Sequence, residues 1–228
     1  MIKAILFDLD NTLYSETNGL EARVLERMNR FVADFLMMPL DETAVVRREG
    51  SRRYGTTLEW LMAEKGFKDP EAYFRAVHPE DEIEGLAPDP QLKWLLESLP
   101  YEKAILTNSP SEHAERVLKA LGVEQYFLSI TDIRSNGLKG KPHAEAYFRA
   151  LEENNFDLDT TVYVDDLPKY VKGYMDLGGK AILKDEANRY EDSGVKRIHA
   201  LEDLPAIIEV LNASPSSRLA AACSKSQE

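Results

Sequence analysis

The chain has 228 residues, 28 Lys+Arg against 40 Asp+Glu, a formal charge of −12, 43% apolar residues and one cysteine. That length holds one large domain, or a domain with a substantial insertion, and the ordinary apolar share argues for a packed core and against disorder. The acidic excess excludes a broad surface built to neutralise a nucleic-acid polymer or anionic lipid, leaving room only for a local basic pocket.

The first residues, Met1 to Phe7, run straight into Asp8, too short and too soon acidic for a signal peptide. No apolar run approaches the roughly 18 residues of a membrane span. A lone Cys223 forms no internal disulfide and fits a reducing compartment. The expectation is a soluble, cytoplasmic protein without a membrane partner. Oligomeric state is not legible.

Short apolar runs of strand type recur at Ile2–Phe7, Ala104–Thr107, Phe127–Ile130, Val162–Val164 and Ala181–Leu183. Amphipathic helical patterns lie between them, at Pro90–Leu99, Ser111–Leu121, Ala144–Asn154 and Lys169–Leu177, with a last one over Leu201–Leu211. That alternation predicts an α/β fold, a doubly wound, Rossmann-like parallel sheet buried on both faces. Ser109-Pro110-Ser111-Glu112 reads as a capping Ser, a Pro at the first helical position and an acid behind it. Gly122 ends that helix.

Residues 15–87 carry no convincing strand. Glu21–Leu36 places Val24, Met28, Phe31, Val32 and Phe35 on one stripe, and Glu42–Tyr54, Leu58–Lys65 and Pro70–Val77 follow as helices. Such a block is too long for a connection and reads as an inserted all-helical domain. The core is then 1–14 and 88–211, re-entered through Ala87-Pro88-Asp89-Pro90, whose prolines resist helix continuation. Residues 212–228 lack periodicity and read as a flexible tail. Its Asn212-Ala213-Ser214 sequon carries no meaning in a cytoplasmic protein.

The chemistry concentrates where strands end. Leu6-Phe7-Asp8-Leu9-Asp10-Asn11-Thr12 puts two carboxylates two residues apart at the carboxyl end of a buried strand, where open sheets bind ligands. If the extended geometry persists they share a side, which is costly without a cation. A solvated strand-end turn is the plain alternative. Thr107-Asn108-Ser109 ends the second strand at a helix N-terminus, which favours an anion, although Thr and Ser there are commonly just caps. Gly140-Lys141-Pro142 offers a point charge for a phosphate oxygen, or a solvated loop lysine. Asp165-Asp166 ends the fourth strand with hard oxygen ligands of the kind that hold Mg²⁺.

The ordered set, strand–Asp-x-Asp-x-Thr, strand–Thr, Lys-Pro, strand–Asp-Asp, resembles the four motifs of the haloacid dehalogenase-like hydrolases, and the likeness spans residues 1–211. The resemblance implies Asp8 as a nucleophile that takes the phosphoryl group, and Asp10 as the acid and then base. It implies Thr107, the Asn108 backbone and Lys141 around the phosphate, and Mg²⁺ between Asp8, the Asp10 carbonyl and Asp166, with Asp165 as ligand or support. Carbon–halogen hydrolases of the family resemble the pattern at the nucleophile but lack the second Asp, since halide needs neither proton nor metal. Asp10, Asp165 and Asp166 are all present, so phosphoryl transfer is expected. A non-catalytic phosphate-binding module would have lost these carboxylates.

The insertion resembles the family's cap. Tyr54-Gly55-Thr56-Thr57-Leu58 and Gly85-Leu86-Ala87-Pro88-Asp89-Pro90 look like the pyrimidine 5′-nucleotidase branch, which implies a small phosphorylated metabolite such as a pyrimidine nucleoside monophosphate. Another capped metabolite phosphatase, or a sugar phosphomutase of the β-phosphoglucomutase type, remains the alternative. His143 stands where a small or acidic residue is common and is given no catalytic role. Arg47–Arg53 carries four Arg and one Glu. It reads as the wet face of a cap helix, against the alternative of a wall that attracts phosphate. Tyr54 and Trp60 read as cap packing, against stacking on a base, and Trp94 as core packing.

Overall fold

The computed structural model describes residues 1–213. Among these, the strands are β1 (Ala4–Phe7), β2 (Glu102–Leu106), β3 (Ile130–Thr131), β4 (Thr161–Asp165), β5 (Lys180–Lys184) and β6 (Lys196–Ile198). They form one sheet in the order β3-β2-β1-β4-β5-β6, every pairing parallel. Side chains alternate between its faces. Ile5, Phe7, Ile105, Val162 and Val164 join one apolar layer, while Ala4, Leu6, Ala104, Leu106 and Tyr163 join the other, the period-2 pattern of a strand covered on both sides.

Helices α1 (Leu20–Leu36), α2 (Leu40–Tyr54), α3 (Thr57–Glu64) and α4 (Pro70–Val77) follow β1 without an intervening strand. The apolar layer holding Ile5 and Phe7 continues into them through Leu20, Val24, Leu58 and Phe74, so the helical block and the sheet share one core. Side-chain oxygens mark the helix starts: Thr56 accepts from Glu59 N at 3.1 Å, and Asp69 accepts from Ala72 N at 2.9 Å. α2 and α3 meet where Gly50 faces the Trp60 indole, and a Cβ there would lie 2.2 Å from it. Gly50→Ala is therefore expected to cost about 1–3 kcal/mol through overpacking, read as a lower urea midpoint; an unchanged midpoint would contradict the contact.

The chain re-enters the core at α5 (Pro90–Ser98), whose N-cap Asp89 accepts from Gln91 N and Leu92 N at 2.9 and 3.0 Å. Then come α6 (Ser111–Leu121), α7 (Ala144–Glu153), α8 (Pro168–Asp176) and α9 (Leu204–Ala213). No helix among the described residues is long and apolar enough to cross a membrane.

Several expectations need correction. The third strand is displaced from Phe127–Ile130 to Ile130–Thr131, because Phe127 instead packs edge-on against Phe7 at 6.0 Å. β6 has no apolar run to announce it; an edge strand buries little, and Lys196 is exposed. Ser109 does not cap α6. Pro110 takes the N-cap position, and the free Ser111 N–H is capped instead by Asp132 at 3.0 Å. Trp94, expected to pack, is 70% exposed on α5, since Leu92, Leu95 and Leu96 supply the buried side of that helix. The final helix runs to Ala213, and Asn212, assigned to a tail, accepts a hydrogen bond from Ile2 N at 2.6 Å. The rest of that expected tail, 214–228, lies outside the described residues.

Candidate active site

β1 sits between β2 and β4 with Phe7 level with both Ile105 and Val164, so the residues just beyond those strands converge. Asp8 N prolongs the ladder by donating to Val164 O at 2.8 Å, and Thr107 N donates to Thr131 O at 3.1 Å. Chain connections leave in opposite directions on either side of this point, which opens a crevice at the carboxyl edge.

Asp8 is buried. One carboxylate oxygen accepts from Lys141 Nζ at 2.6 Å and the other from Thr12 Oγ1 at 2.8 Å. Burial pushes its pKa up to about 7; Lys141 opposes the rise, and the charges of Asp165 and Asp10 add to it. Lys141, 1% exposed, also donates to Asp165 at 2.8 Å. Burial disfavours its charge, but the two carboxylates outweigh burial and hold it above the usual lysine range. Asp165 accepts further hydrogen bonds from Leu167 N at 2.8 Å and from the Tyr163 hydroxyl. Its oxygens are thus engaged in fixing Lys141 and the loop.

Oxygens of Asp8, Asp165 and Asp166 lie within 4.8 Å of one another. Lys141 pairs with only two of the three carboxylates, and burial together with the Asp165 and Asp8 charges drives the Asp166 pKa well above its ordinary value. A set of hard oxygens with excess negative charge suits a divalent cation such as Mg²⁺, which relieves that repulsion.

The Asp10 side chain turns away from this trio. Its Oδ1 accepts from the Tyr14 hydroxyl at 2.6 Å and lies 2.7 Å from His113 Nε2, while Oδ2 accepts from Ser109 Oγ at 2.9 Å. Burial raises its pKa, but the His113 charge and hydrogen bond, with the Tyr14 hydroxyl, outweigh that and hold it well below the carboxylate range. His113 is fully buried on α6, and its Nδ1 lies 2.7 Å from Glu82 Oε1. Burial works against its charge; Asp10 and Glu82 reverse that and push its pKa up to about 10.

Thr107 is buried, its Oγ1 accepting from Ser109 N at 3.0 Å. The Asn108 side chain clamps the lysine loop: Oδ1 accepts from Lys141 N at 2.7 Å and Nδ2 donates to Lys141 O at 3.1 Å. Gly140 is required there, since a Cβ would lie 2.3 Å from Asn108 Oδ1. Asp8, Asp10, Thr107, Asn108, Lys141 and Asp166 all line one cavity of about 270 Å³, which the helical block roofs with Glu21, Met28, Arg47 and Tyr73.

Arg47 thus departs from the expected wet face. It lines the cavity and donates to Asn29 Oδ1 at 2.6 Å, whereas Arg48, Arg52 and Arg53 are exposed as expected. Trp60 is buried in the helical block, in keeping with packing. His143 does not line the cavity; its Nε2 lies 2.8 Å from Glu59 Oε1, joining core to helical block.

Sequence reasoning missed His113, Glu82, Tyr14 and Glu21. One signal was available: a histidine in the apolar stripe of α6, beside Ala114 and Val117. Glu82 stands in the acidic run Glu80-Asp81-Glu82, where nothing local separates a buried acid from solvated ones.

Residues 2–172 match the haloacid dehalogenase-like hydrolase family. The chain is 28% identical over 223 residues to the glyceraldehyde 3-phosphate phosphatase of Methanocaldococcus jannaschii, covering 90% of this chain and 97% of that protein. The HAD-hydrolase YfnB of Bacillus subtilis, in a magnesium-bound form, superimposes with a TM-score of 0.63 at 21% identity, over 91% of this chain and 99% of that one. The L-2-haloacid dehalogenase of Xanthobacter autotrophicus does so with 0.60 at 16%, over 92% and 99%. At those identities the two structures share the fold alone, and fold does not choose between phosphorus and carbon–halogen chemistry. With the match running from the first strand into α8, the chain belongs to the haloacid dehalogenase-like hydrolases.

Proposed function

We propose that the protein is a Mg²⁺-dependent phosphatase that hydrolyses small phosphomonoesters through an aspartyl-phosphate on Asp8. The observation that carries this reading is the trio Asp8, Asp165 and Asp166, the first two buried and paired with Lys141, beside a second aspartate, Asp10, which lines the cavity with Asp8 and Asp166. Expelling halide needs neither feature.

In the first step an Asp8 oxygen attacks phosphorus, the ester P–O bond breaks, and the leaving oxygen takes a proton from Asp10, whose protonated form the adjacent phosphate charge favours once substrate is bound. In the second, Asp10 removes a proton from water, which attacks phosphorus and frees Asp8 and inorganic phosphate. Thr107, the Asn108 N–H and Lys141 hold the phosphoryl oxygens. Asp8, Asp166 and the Asp10 carbonyl would hold Mg²⁺, with Asp165 supporting them through Lys141. When bound, the ion supplies charge neutralisation where one anion approaches another. The helical block acts as a cap whose seating excludes bulk water.

For the leaving group, the two cap segments that resemble the pyrimidine 5′-nucleotidases support a nucleoside 5′-monophosphate, and Arg47 in the roof suits a polar, anion-bearing substrate. A smaller sugar phosphate is the second reading, favoured by the phosphatase relative in M. jannaschii. Phosphate release from UMP, CMP, purine nucleotides, triose phosphates and hexose phosphates separates them, and an isomerised sugar phosphate would reveal a mutase. Turnover is expected to vanish with EDTA and return with Mg²⁺. Asp166→Asn is expected to raise the Mg²⁺ concentration for half-activity by more than about tenfold. Full activity in metal-free protein, or no turnover of any ester, would refute the proposal.

A further inference from the structure

Nothing in the four motifs calls for a histidine or a fifth acid, yet a buried chain of both ends on Asp10. The two ring nitrogens of His113 each face a carboxylate at 2.7 Å, Nε2 to Asp10 and Nδ1 to Glu82, so both are donors and the ring cannot turn without losing one of them. Glu82 is itself buried in the segment leading out of the helical block. It accepts from Arg116 Nη2 on α6 at 2.5 Å and from Arg27 Nη2 on α1 at 3.4 Å, and it lies 2.9 Å from His78 Nδ1 at the end of α4. Arg27 is tied in turn to Val77 O at 2.6 Å. One carboxylate therefore gathers groups from both ends of the helical block and from the sheet-packing α6, and passes their placement to Asp10 through a single ring.

We propose that His113, fixed by Glu82, is a positioning residue that holds the Asp10 carboxylate in one orientation and ties that orientation to the seating of the helical block. Withdrawing Arg27 and His78 leaves Arg116 as the remaining cation on Glu82 and loosens the far end of the ring, so the hold of His113 on Asp10, beside those of Tyr14 and Ser109, tightens when the block is seated. His78, Glu82 and His113 also lie close enough to hold a metal ion. Two features argue against that use: Arg116 already brings a guanidinium against Glu82, and the second nitrogen of His113 is committed to Asp10.

This inference rests on the acid/base role proposed for Asp10, and leaving-group chemistry tests it. An alkyl phosphate needs a proton on its departing oxygen, whereas p-nitrophenolate leaves without one. In the full chain with Mg²⁺, His113→Asn and Glu82→Gln are each expected to lower kcat/KM on the preferred alkyl phosphate by about 10²-fold, with KM changed less than about threefold. On p-nitrophenyl phosphate kcat/KM, which reports the steps up to leaving-group release and not the shared hydrolysis of the aspartyl-phosphate, should fall less than about threefold. Equal losses of kcat/KM on both esters, unchanged kcat/KM on the alkyl ester, or restoration by Zn²⁺ of stripped protein would overturn it. Should His113→Asn fail to fold, the near-isosteric Glu82→Gln decides alone. Crystals of Glu82→Gln give a reading without turnover: Asp10 should leave its His113 contact, and an unmoved Asp10 refutes the proposal. Absence of turnover in wild-type protein would instead count against the phosphatase reading and leave the crystallographic result to judge this one.

Discussion

Asp8→Asn is expected to abolish turnover, by about 10⁵-fold or more on every ester the wild-type protein hydrolyses, because an amide cannot form the acyl phosphate. The fold should survive. An Asn side chain fills the same volume, can still accept from Thr12 or Lys141 through its carbonyl, and removes one of three mutually repelling carboxylates. A melting temperature within a few degrees of wild type, with no phosphate released and no phosphorylated protein trapped by acid quench, is the expected pair of results. Retained turnover in the well-folded variant would remove Asp8 as the nucleophile and the proposed intermediate with it.

Lys141→Met should damage both stability and chemistry. Its ammonium is buried between Asp8 and Asp165, at 2.6 and 2.8 Å. Removing one partner of a buried ionic group leaves uncompensated charge, a loss of about 3–5 kcal/mol. The deficit should be largest near neutral pH and shrink in acid, as the carboxylates take up protons and the uncompensated charge disappears. Catalysis should fall by about 10²–10³-fold, the cost of losing one preorganised charge at a developing anion. The pH profile supplies the sign. Burial already holds Asp8 at about 7 against the opposing pull of Lys141. Without that cation the pKa rises further, so the acid limb of the rate profile should move to higher pH. A limb that moves down, or urea unfolding that matches wild type at neutral pH, would contradict the arrangement.

Much of this was legible from residues alone, for identifiable reasons. Strands β1, β2, β4 and β5 are buried on both faces, and such strands appear as short continuous apolar runs. Edge strand β6 buries little and left no such trace. The pattern of α6 sets both of its ends, with Gly122 enforcing the stop at φ +72, but not the residue that caps its start. Ser109 has the chemistry of a cap and was recruited by Asp10 instead, while Asp132, 21 residues onward, supplied the capping oxygen.

The sequence by itself determined the α/β alternation, the helical block between first strand and re-entry, and the carboxylates, hydroxyl and lysine that the sheet brings to one edge. Those features are local: a strand end, a turn or a short motif carries its own pattern. Only the tertiary structure decided that Arg47 faces the cavity while its neighbours stay wet, that Asn108 clamps the lysine loop, and that His113 and Glu82 stand behind Asp10. Each of these depends on contacts between residues far apart in the chain, 103 positions between Asp10 and His113, and a buried partner at that distance leaves no period to read. Charge shows the same division. Composition sets the number of acids, but only packing brings three of their carboxylates within 4.8 Å of one another, an arrangement that suits a divalent cation.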